Sequence, residues 1–545
     1  MPIPAFYPTP SPRLRPAIRT LVCGAVLVLV GAVPAALEGQ ALADPLVPKG
    51  RVRLDFTPSV SSWDSRYGLR FEDGKRVEEE ESLASDVTDP RGVSLFPGVA
   101  TLQDAIRNLS GDPSFQASLG STSGRISKEV TRLDMGLRLG LFDWLTVGAN
   151  VPYVKGRTTL DLAFRPTESA NLGLNPAFTG SEGFSDLLTG LGNAAVAAGE
   201  RAQSVCAGGA GGACSSAQAL SQQANDFWQG LLGAYFASPF FPLASSDVAG
   251  RLQGALASLD AALTSAGLAP VGAGVAFASE PLDGETFASL PSAASLGIAG
   301  APLQGEDGLW QMGDVEVNAT LRLLQGEVRD SGATSPRLAY GLYGGFLVRL
   351  GTGKLDSPDV FLDLPSGDGQ MDLEGRVDAM VRWGAHLGAR GSFRYGTQGE
   401  VDIVRRVAPN EALLPQQSST RALTWTPGSY TLLELSPRFF LGEALALSAD
   451  YRRFHKAADG FTILGDEAAA QGVDVSVLVD ESEVTLQELA VGLRYSSLAL
   501  WRQGRVGTPV ELGLRVIRPL SGAGGQTPKA DRVEFSISLF RRIWG

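Results

Sequence analysis

The sequence predicts an all-β fold, a transmembrane antiparallel β-barrel of about 12 strands with a large partly helical insert between strands 3 and 4. Three observations predict it. Segment after segment alternates apolar and charged residues with a period of two, which is the period of a strand; a helix would scatter the charges round its circumference. Many of the segments run to 10–18 residues, above the usual globular length of about 5–6 and enough for the roughly 9–11 that a tilted membrane strand needs. Tight links also alternate with long ones, as in an even-stranded barrel with short periplasmic turns, long outer loops and both termini on the periplasmic side.

Composition removes other classes. The 545 residues include 46 Lys+Arg against 58 Asp+Glu, a formal net charge of -12. Phosphate binding needs concentrated Lys and Arg, so no nucleic-acid partner is expected. Two His and three Cys leave little material for a zinc site, and neither a metal nor a cofactor is expected. With 44% apolar residues the chain is too hydrophobic to be disordered, yet it has no series of long apolar runs to make a bundle of membrane helices.

Residues 1–43 read as a secretory signal. Arg13, Arg15 and Arg19 precede the apolar run 21–33, and Ala41-Leu42-Ala43 offers a small-x-small cleavage pattern before Asp44. An uncleaved anchor is the alternative, but about 13 apolar residues span only about 20 Å as a helix, short of the bilayer core. Barrel strands 1–3 are placed in 44–170, at 51–63, 131–141 and 145–162. In the second, Leu133, Met135, Leu137, Leu139 and Leu141 oppose Arg132, Asp134, Gly136 and Arg138. Pro152 interrupts the third, where it cannot donate to a ladder.

The insert, 171–308, is rich in Ala, Gly, Ser and Leu and carries helix-like stretches at 184–205, 215–236 and 246–266. In the last, Val248, Leu252, Leu256, Leu259 and Leu263 form an apolar stripe at helical spacing. The insert is expected on the extracellular side or partly in the lumen as a plug, because irregular backbone cannot face lipid. Phe227, Trp228, Tyr235, Phe236, Phe240 and Phe241 either close a core of its own or contact an apolar solute. Cys206 and Cys214, left in an oxidising compartment, are expected to form a disulfide; a free pair is the alternative.

Strands 4–12 follow in 309–545, at 315–323, 336–350, 372–383, 387–395, 429–441, 445–454, 484–495, 509–519 and 532–540; 14 strands is the alternative count. Links 2–3, 6–7 and 8–9 are tight, while 4–5 and 10–11, which should be tight as well, run to about a dozen residues. Trp144, Trp383, Trp501 and Trp544 fall by the periplasmic side and Trp63, Trp310 and Trp425 by long-loop ends, as two interfacial girdles would require.

The charged faces name the expected lumen lining. Arg132, Arg138, Arg322, Arg376, Arg382, Arg390, Arg394, Arg452, Arg494 and Arg515 point inward with Asp134, Glu316, Asp372, Glu374, Asp378, Glu434, Asp450, Glu488, Glu511 and Glu534. The signs balance, so cross-strand ion pairs can offset desolvation, and weak net ion selectivity is expected if the lumen conducts. A closed structural ladder is the other reading. A soluble β-sandwich would alternate as well, with its charged face in open water.

Phe142 to Val154 (FDWLTVGANVPYV) resembles the turn-and-strand signature of outer-membrane transporters of the phenol-degradation meta-pathway family, themselves distantly similar to long-chain fatty-acid channels. Met312 to Arg322 (MGDVEVNATLR) resembles their Gly-Asp strand opening and Leu364 to Gln370 (LPSGDGQ) their following loop. The resemblance covers mainly 130–165 and 310–400. It implies passive passage of small molecules, hydrophobic ones included, across the outer membrane, with outer-membrane lipid and a small solute as partners and oligomeric state left open. The alternative is a non-conducting surface barrel presenting the insert for binding or adhesion. No enzyme is expected: a barrel phospholipase needs a Ser beside a His, and His386 and His455 fall at opposite rims. Inward carboxylates interspersed with Arg make poor acids. The run Glu78 to Glu81 reads as a solvated loop or a surface cation site.

Overall fold

The computed structural model describes residues 45–544 apart from 73–74, 97, 167–168, 181, 293–296, 331–336, 410–411 and 466–471. The signal segment therefore lies outside the described residues. Twelve antiparallel strands close into a barrel: β1 (Arg51–Trp63), β2 (Ser121–Phe142), β3 (Leu145–Arg165), β4 (Val315–Val328), β5 (Leu338–Leu350), β6 (Asp372–Trp383), β7 (Leu387–Gln398), β8 (Tyr430–Phe440), β9 (Leu445–Lys456), β10 (Val484–Ser496), β11 (Val510–Ala523) and β12 (Asp531–Arg542). Each pairs with its sequence neighbours, and β12 closes on β1 from Arg51↔Arg542 to Ser62↔Asp531. Closure leaves no unpaired edge, the condition for β-structure in lipid.

Every one of the twelve expected strands is present, with ends that differ by a few residues, save that β2 begins ten residues earlier, at Ser121. The reason is that 121–130 pair with the far end of β3, from Ser121↔Arg165 onward, so the β2–β3 hairpin rises well above its neighbours. β3 meets β4 only from Leu145↔Leu321 to Asn150↔Glu316. Beyond that the returning linker takes over: Arg157 and Thr158 pair with Asp307 and Glu306, and Tyr153 and Val154 with Met312 and Gln311. Pro152 sits at this change of partner. Its carbonyl accepts from Gly313, and its missing N–H falls on the side where the ladder to β4 has already stopped. A bulge at Leu323 puts both Leu323 and Leu324 in exposed positions.

Outward positions form the apolar wall: Leu137, Val317, Phe346, Val377, Phe393, Leu435, Val491 and Leu539 are all more than a third exposed. The turns Asp143-Trp144 and 384–386 share a rim with both ends of the described chain, the periplasmic rim in barrels of this type. Phe142 and Trp144 stack there at 5.4 Å, Trp383 and Trp544 are exposed beside them, and Arg51 lies 4.1 Å over the Trp501 ring. The upper girdle is thinner than expected. Trp310 is exposed, but Trp63 packs against an apolar core and Trp425 stacks on Phe461 in a small outer sheet of Val401–Arg406, Thr420–Thr426 and Gly460–Ile463.

The main buried core is not in the barrel. It lies on the loop side, where helices α1 (Gly98–Ser110), α2 (Glu182–Ala207), α3 (Gly212–Ala237) and α4 (Asp247–Ser265) pack with Val87, Leu119, Ile126, Leu362 and Leu414. Leu252, Leu256, Leu259 and Leu263 are at most 1% exposed, and Phe227, Tyr235, Phe240 and Phe241 are buried with them, so the insert's aromatics close its own core; Phe236 alone is openly exposed. Cys206 and Cys214 form a disulfide across the α2–α3 turn, with Cα atoms 4.7 Å apart. Glu78 to Glu81 is strand, not loop: Lys75–Ser82 pairs with Ser65–Glu72, Glu81 binds Arg66 at 2.5 Å and Glu80 binds Lys529 at 2.5 Å.

Because this core is separate from the barrel wall, Leu252→Ala should destabilise the helical cap by about 2–5 kcal/mol. Hydrogen exchange should quicken in α1–α4 while exchange in β6–β9, and heat-modifiable gel mobility of the barrel, stay unchanged.

Candidate functional site

The alternation that forms each strand also decides the site, since every second side chain points into the barrel. Inside is a cavity of about 570 Å³ walled by all twelve barrel strands. The wall is built from arginines and carboxylates that share partners between adjacent strands. Asp55 accepts from Arg53 at 2.6 Å and Ser538 at 2.5 Å and lies 3.3 Å from Arg138. Glu511 takes Arg494 at 2.9 Å and Ser496 at 2.8 Å. The Asp378 side chain, with no exposed surface, lies between Arg376 at 2.9 Å and Arg390 at 2.7 Å.

A longer chain of pairs runs over five strands, β6 to β10. Arg394 reaches Glu374 at 3.7 Å and Glu434 at 3.3 Å; Arg452 then joins Glu434 at 3.0 Å to Glu488 at 3.1 Å. Arg515 bridges Asp450 at 3.3 Å and Glu534 at 3.6 Å. Towards the loop side, Arg132 binds Asp134 at 2.8 Å, and Arg349 binds Glu316 at 3.2 Å and Asp372 at 2.6 Å. Two of the expected lining residues sit instead at the terminal rim. Arg322 donates to the Asp143 carbonyl; Arg382 donates to the carbonyls of Gly384 and Ala385 and stacks over Phe440 at 4.5 Å.

Sequence reasoning missed five inner residues: Arg53, Asp55, Arg349, Arg438 and Arg532. Their positions had the signal, since each lies in phase with charged neighbours two or four residues away or directly across the register. Four of the five are arginines, yet with Arg322 and Arg382 at the rim the cavity itself is lined by eight arginines and nine carboxylates, close to the balance of signs expected from the sequence.

Two segments turn inward at the ends of the barrel. At the terminal rim the chain entering β1 folds inward: Val47 N–H donates to Thr146 Oγ1 at 2.9 Å, and Leu46 packs with Tyr343 and Met380 on the inner face of β5 and β6. At the other end it is the β5–β6 loop that turns in. The Leu362 carbonyl accepts from Thr158 Oγ1 at 2.9 Å, and Leu364 lies against Gly156, where any Cβ would stand 2.7 Å from Leu364 Cβ. The same loop holds Asp314, which accepts from the N–H groups of Gly353 at 2.7 Å and Asp368 at 3.0 Å. Burial, then the neighbouring Asp372 and Asp314, push Asp368 up to about 6.

The histidines do not meet. His386 Nδ1 lies 3.0 Å from the Phe440 carbonyl at the terminal rim, and His455 Nδ1 lies 3.0 Å from Thr485 Oγ1 near the loop side. Among the described residues no group of three or more His, Cys, Asp or Glu has the geometry to hold a metal.

Closed pairing, an apolar outer wall and charges turned inward define a transmembrane β-barrel of twelve strands. No protein-family model and no curated protein matches the chain. Among solved structures it is similar to an outer-membrane channel from Pseudomonas putida F1, at 9% identity and TM-score 0.39 over 94% of this chain and 100% of that one. It is also similar to the toluene transporter TbuX of Ralstonia pickettii, at 9% identity and TM-score 0.26 over 91% and 90%. A third is the translocator domain of the autotransporter NalP from Neisseria meningitidis, at 8% identity and TM-score 0.25 over 96% and 95%.

Two outcomes follow from this geometry. Asp378→Asn leaves Arg376 and Arg390 facing one another without their shared carboxylate, and urea unfolding of the refolded barrel should show a loss of about 3–5 kcal/mol. A carboxyl held at a raised pKa disfavours the folded loop once it ionises, so the cost is absent below the unfolded value near 4, grows between there and about pH 6, and is complete above. Hydrogen exchange in 363–371, corrected for intrinsic rates, should therefore slow as pH falls from 7.5 to 5, and Asp368→Asn should remove that dependence.

Proposed function

We propose that the protein is a passive channel of the outer membrane for small molecules, delivered by the signal in residues 1–43, with lipid against its apolar wall. The cavity inside the closed barrel carries the reading. A barrel used only as a scaffold has no need of an interior space of about 570 Å³, and eight-stranded barrels fill theirs with side chains. Inner charges held in pairs, Arg438 excepted, give a polar path with little free charge to trap a solute. The twenty residues named from the sequence as lumen lining are assigned to that path, with Arg322 and Arg382 at its terminal end. No catalytic group is assigned.

The inward-turned segments at 45–50 and 359–367 narrow the two ends of the path, and the helical cap stands over its outer mouth as a movable cover. The resemblance to phenol-degradation transporters supports apolar and aromatic solutes among the cargo. The cap's own core favours a second reading, in which the barrel presents it as a binding module and conducts nothing.

Swelling of proteoliposomes in graded sugars and in small aromatic alcohols separates the two. Uptake of the smallest solutes is expected, with a faster rate after replacement of residues 182–265 by a short Gly/Ser link. A barrel that shows heat-modifiable mobility yet admits no solute would return the scaffold reading, and an unchanged rate after the deletion would remove the cap from any gating role.

A further inference from the structure

One arginine of the inner face lacks a carboxylate of its own. Arg438, two residues before the end of β8, lines the cavity. Among the described residues it has no carboxylate within ion-pairing distance, alone of the inner arginines in lacking any polar partner. The charges that act on it are those of Arg494, Arg390, Arg515 and Asp450. Three of these four repel it, and the fourth is already engaged: Asp450 takes Arg515 at 3.3 Å and Ser448 at 3.2 Å and also accepts from Ser436. Arg390 is occupied by Asp378 at 2.7 Å and Arg494 by Glu511 at 2.9 Å.

The surroundings of Arg438 are built for an acceptor that the chain does not supply. A guanidinium presents five N–H donors in a fixed fork that matches a carboxylate. Register puts Ser448 directly opposite Arg438 and Ser436 opposite Arg390, and both serines line the same cavity. Arg390 and Arg494 each have a carboxylate, so it is the partly desolvated charge of Arg438 that costs stability unless an anion joins it. The space has the volume of a small-ligand pocket, about 300–1,000 Å³.

We propose that the lower lumen is a binding site for a small organic acid, with the Arg438 guanidinium holding its carboxylate and Arg390 and Arg494 supplying the field that selects a negative charge. Among the small molecules admitted by the channel, carboxylate-bearing ones would be held on the way through. The proposal rests on the lumen being open to solute, as argued above; its test needs entry but no passage.

The test uses the full chain purified in detergent, with benzoate and the uncharged benzyl alcohol as probes in calorimetric titration. Benzoate is expected to bind at least tenfold more tightly than benzyl alcohol. Arg438→Gln should weaken benzoate by roughly tenfold to a hundredfold, the range for a hydrogen bond to a charged group, and leave benzyl alcohol unchanged. Arg438→Lys should recover part of the loss, because it keeps the charge without the fork. Heat-modifiable mobility confirms that each variant is folded. Equal binding of the two probes, or benzoate binding unaltered in Arg438→Gln, would overturn the proposal. Absent solute uptake with Arg438-dependent benzoate binding intact would refute the channel and leave the site standing.

Discussion

In hydrocarbon an unpaired backbone N–H or carbonyl costs several kcal/mol, so the barrel must close and every strand must find partners within the chain. The rest of the molecule is arranged around the seam between β3 and β4, where the ladder is shortest. β3 continues to Arg165, but its ladder with β4 ends at Asn150↔Glu316. The returning linker supplies the missing partners through Glu306, Asp307, Gln311 and Met312 and through the N–H groups of Gly308 and Gly313. Both glycines are required by contact: a Cβ at Gly308 would stand 2.8 Å from the Gly156 carbonyl, and one at Gly313 2.8 Å from that of Ser366. The insert thus ends as a strip of the barrel wall and is anchored to it at both sides of the seam.

Closure also fixes the electrostatics. Strands pair in register, so a charge on one inner face is set opposite a known residue on the next, and carboxylates come to be shared. Asp378 serves an arginine two residues before it on its own strand and another diagonally across on β7. Glu434 serves Arg394 on one side and Arg452 on the other. Sharing lets one carboxylate hold two cations. It also means that no carboxylate is spare around Arg438.

The barrel was legible from the sequence because its period is imposed by geometry: inner and outer positions alternate whatever the residues, and lipid on one side with water and charge on the other makes the alternation visible. All twelve strands follow from that, while the insert's three helices were legible from helix-like stretches of their own. The inner partners were less legible. Arg53 and Asp55 flank Leu54, and Arg438 lies between Pro437 and Phe439; short or interrupted alternation gives a weaker pattern than the long charged runs of β6 and β7. What could not be read is what folds into the lumen. Leu46, Leu362 and Leu364 belong to segments without periodicity, and the glycines opposite, Gly156 against Leu364 and Gly140 against Val47 and Pro48, register their approach.

Apolar residues here meet two different solvents. Leu435 and Val491 are exposed on the barrel and would be placed in lipid, while Leu252 and Leu259 are buried among helices. The two sets stabilise different things. Removing a methylene from the outer wall changes a transfer from water to lipid and leaves packing alone, whereas removing one from the cap opens a void in a close-packed core. The cap therefore has a stability of its own, tied to the barrel through the long β2–β3 hairpin and the linker at the seam. A cover that can loosen without breaking the wall's ladder needs that separation, since opening drawn from the barrel's own hydrogen bonds would expose them to lipid.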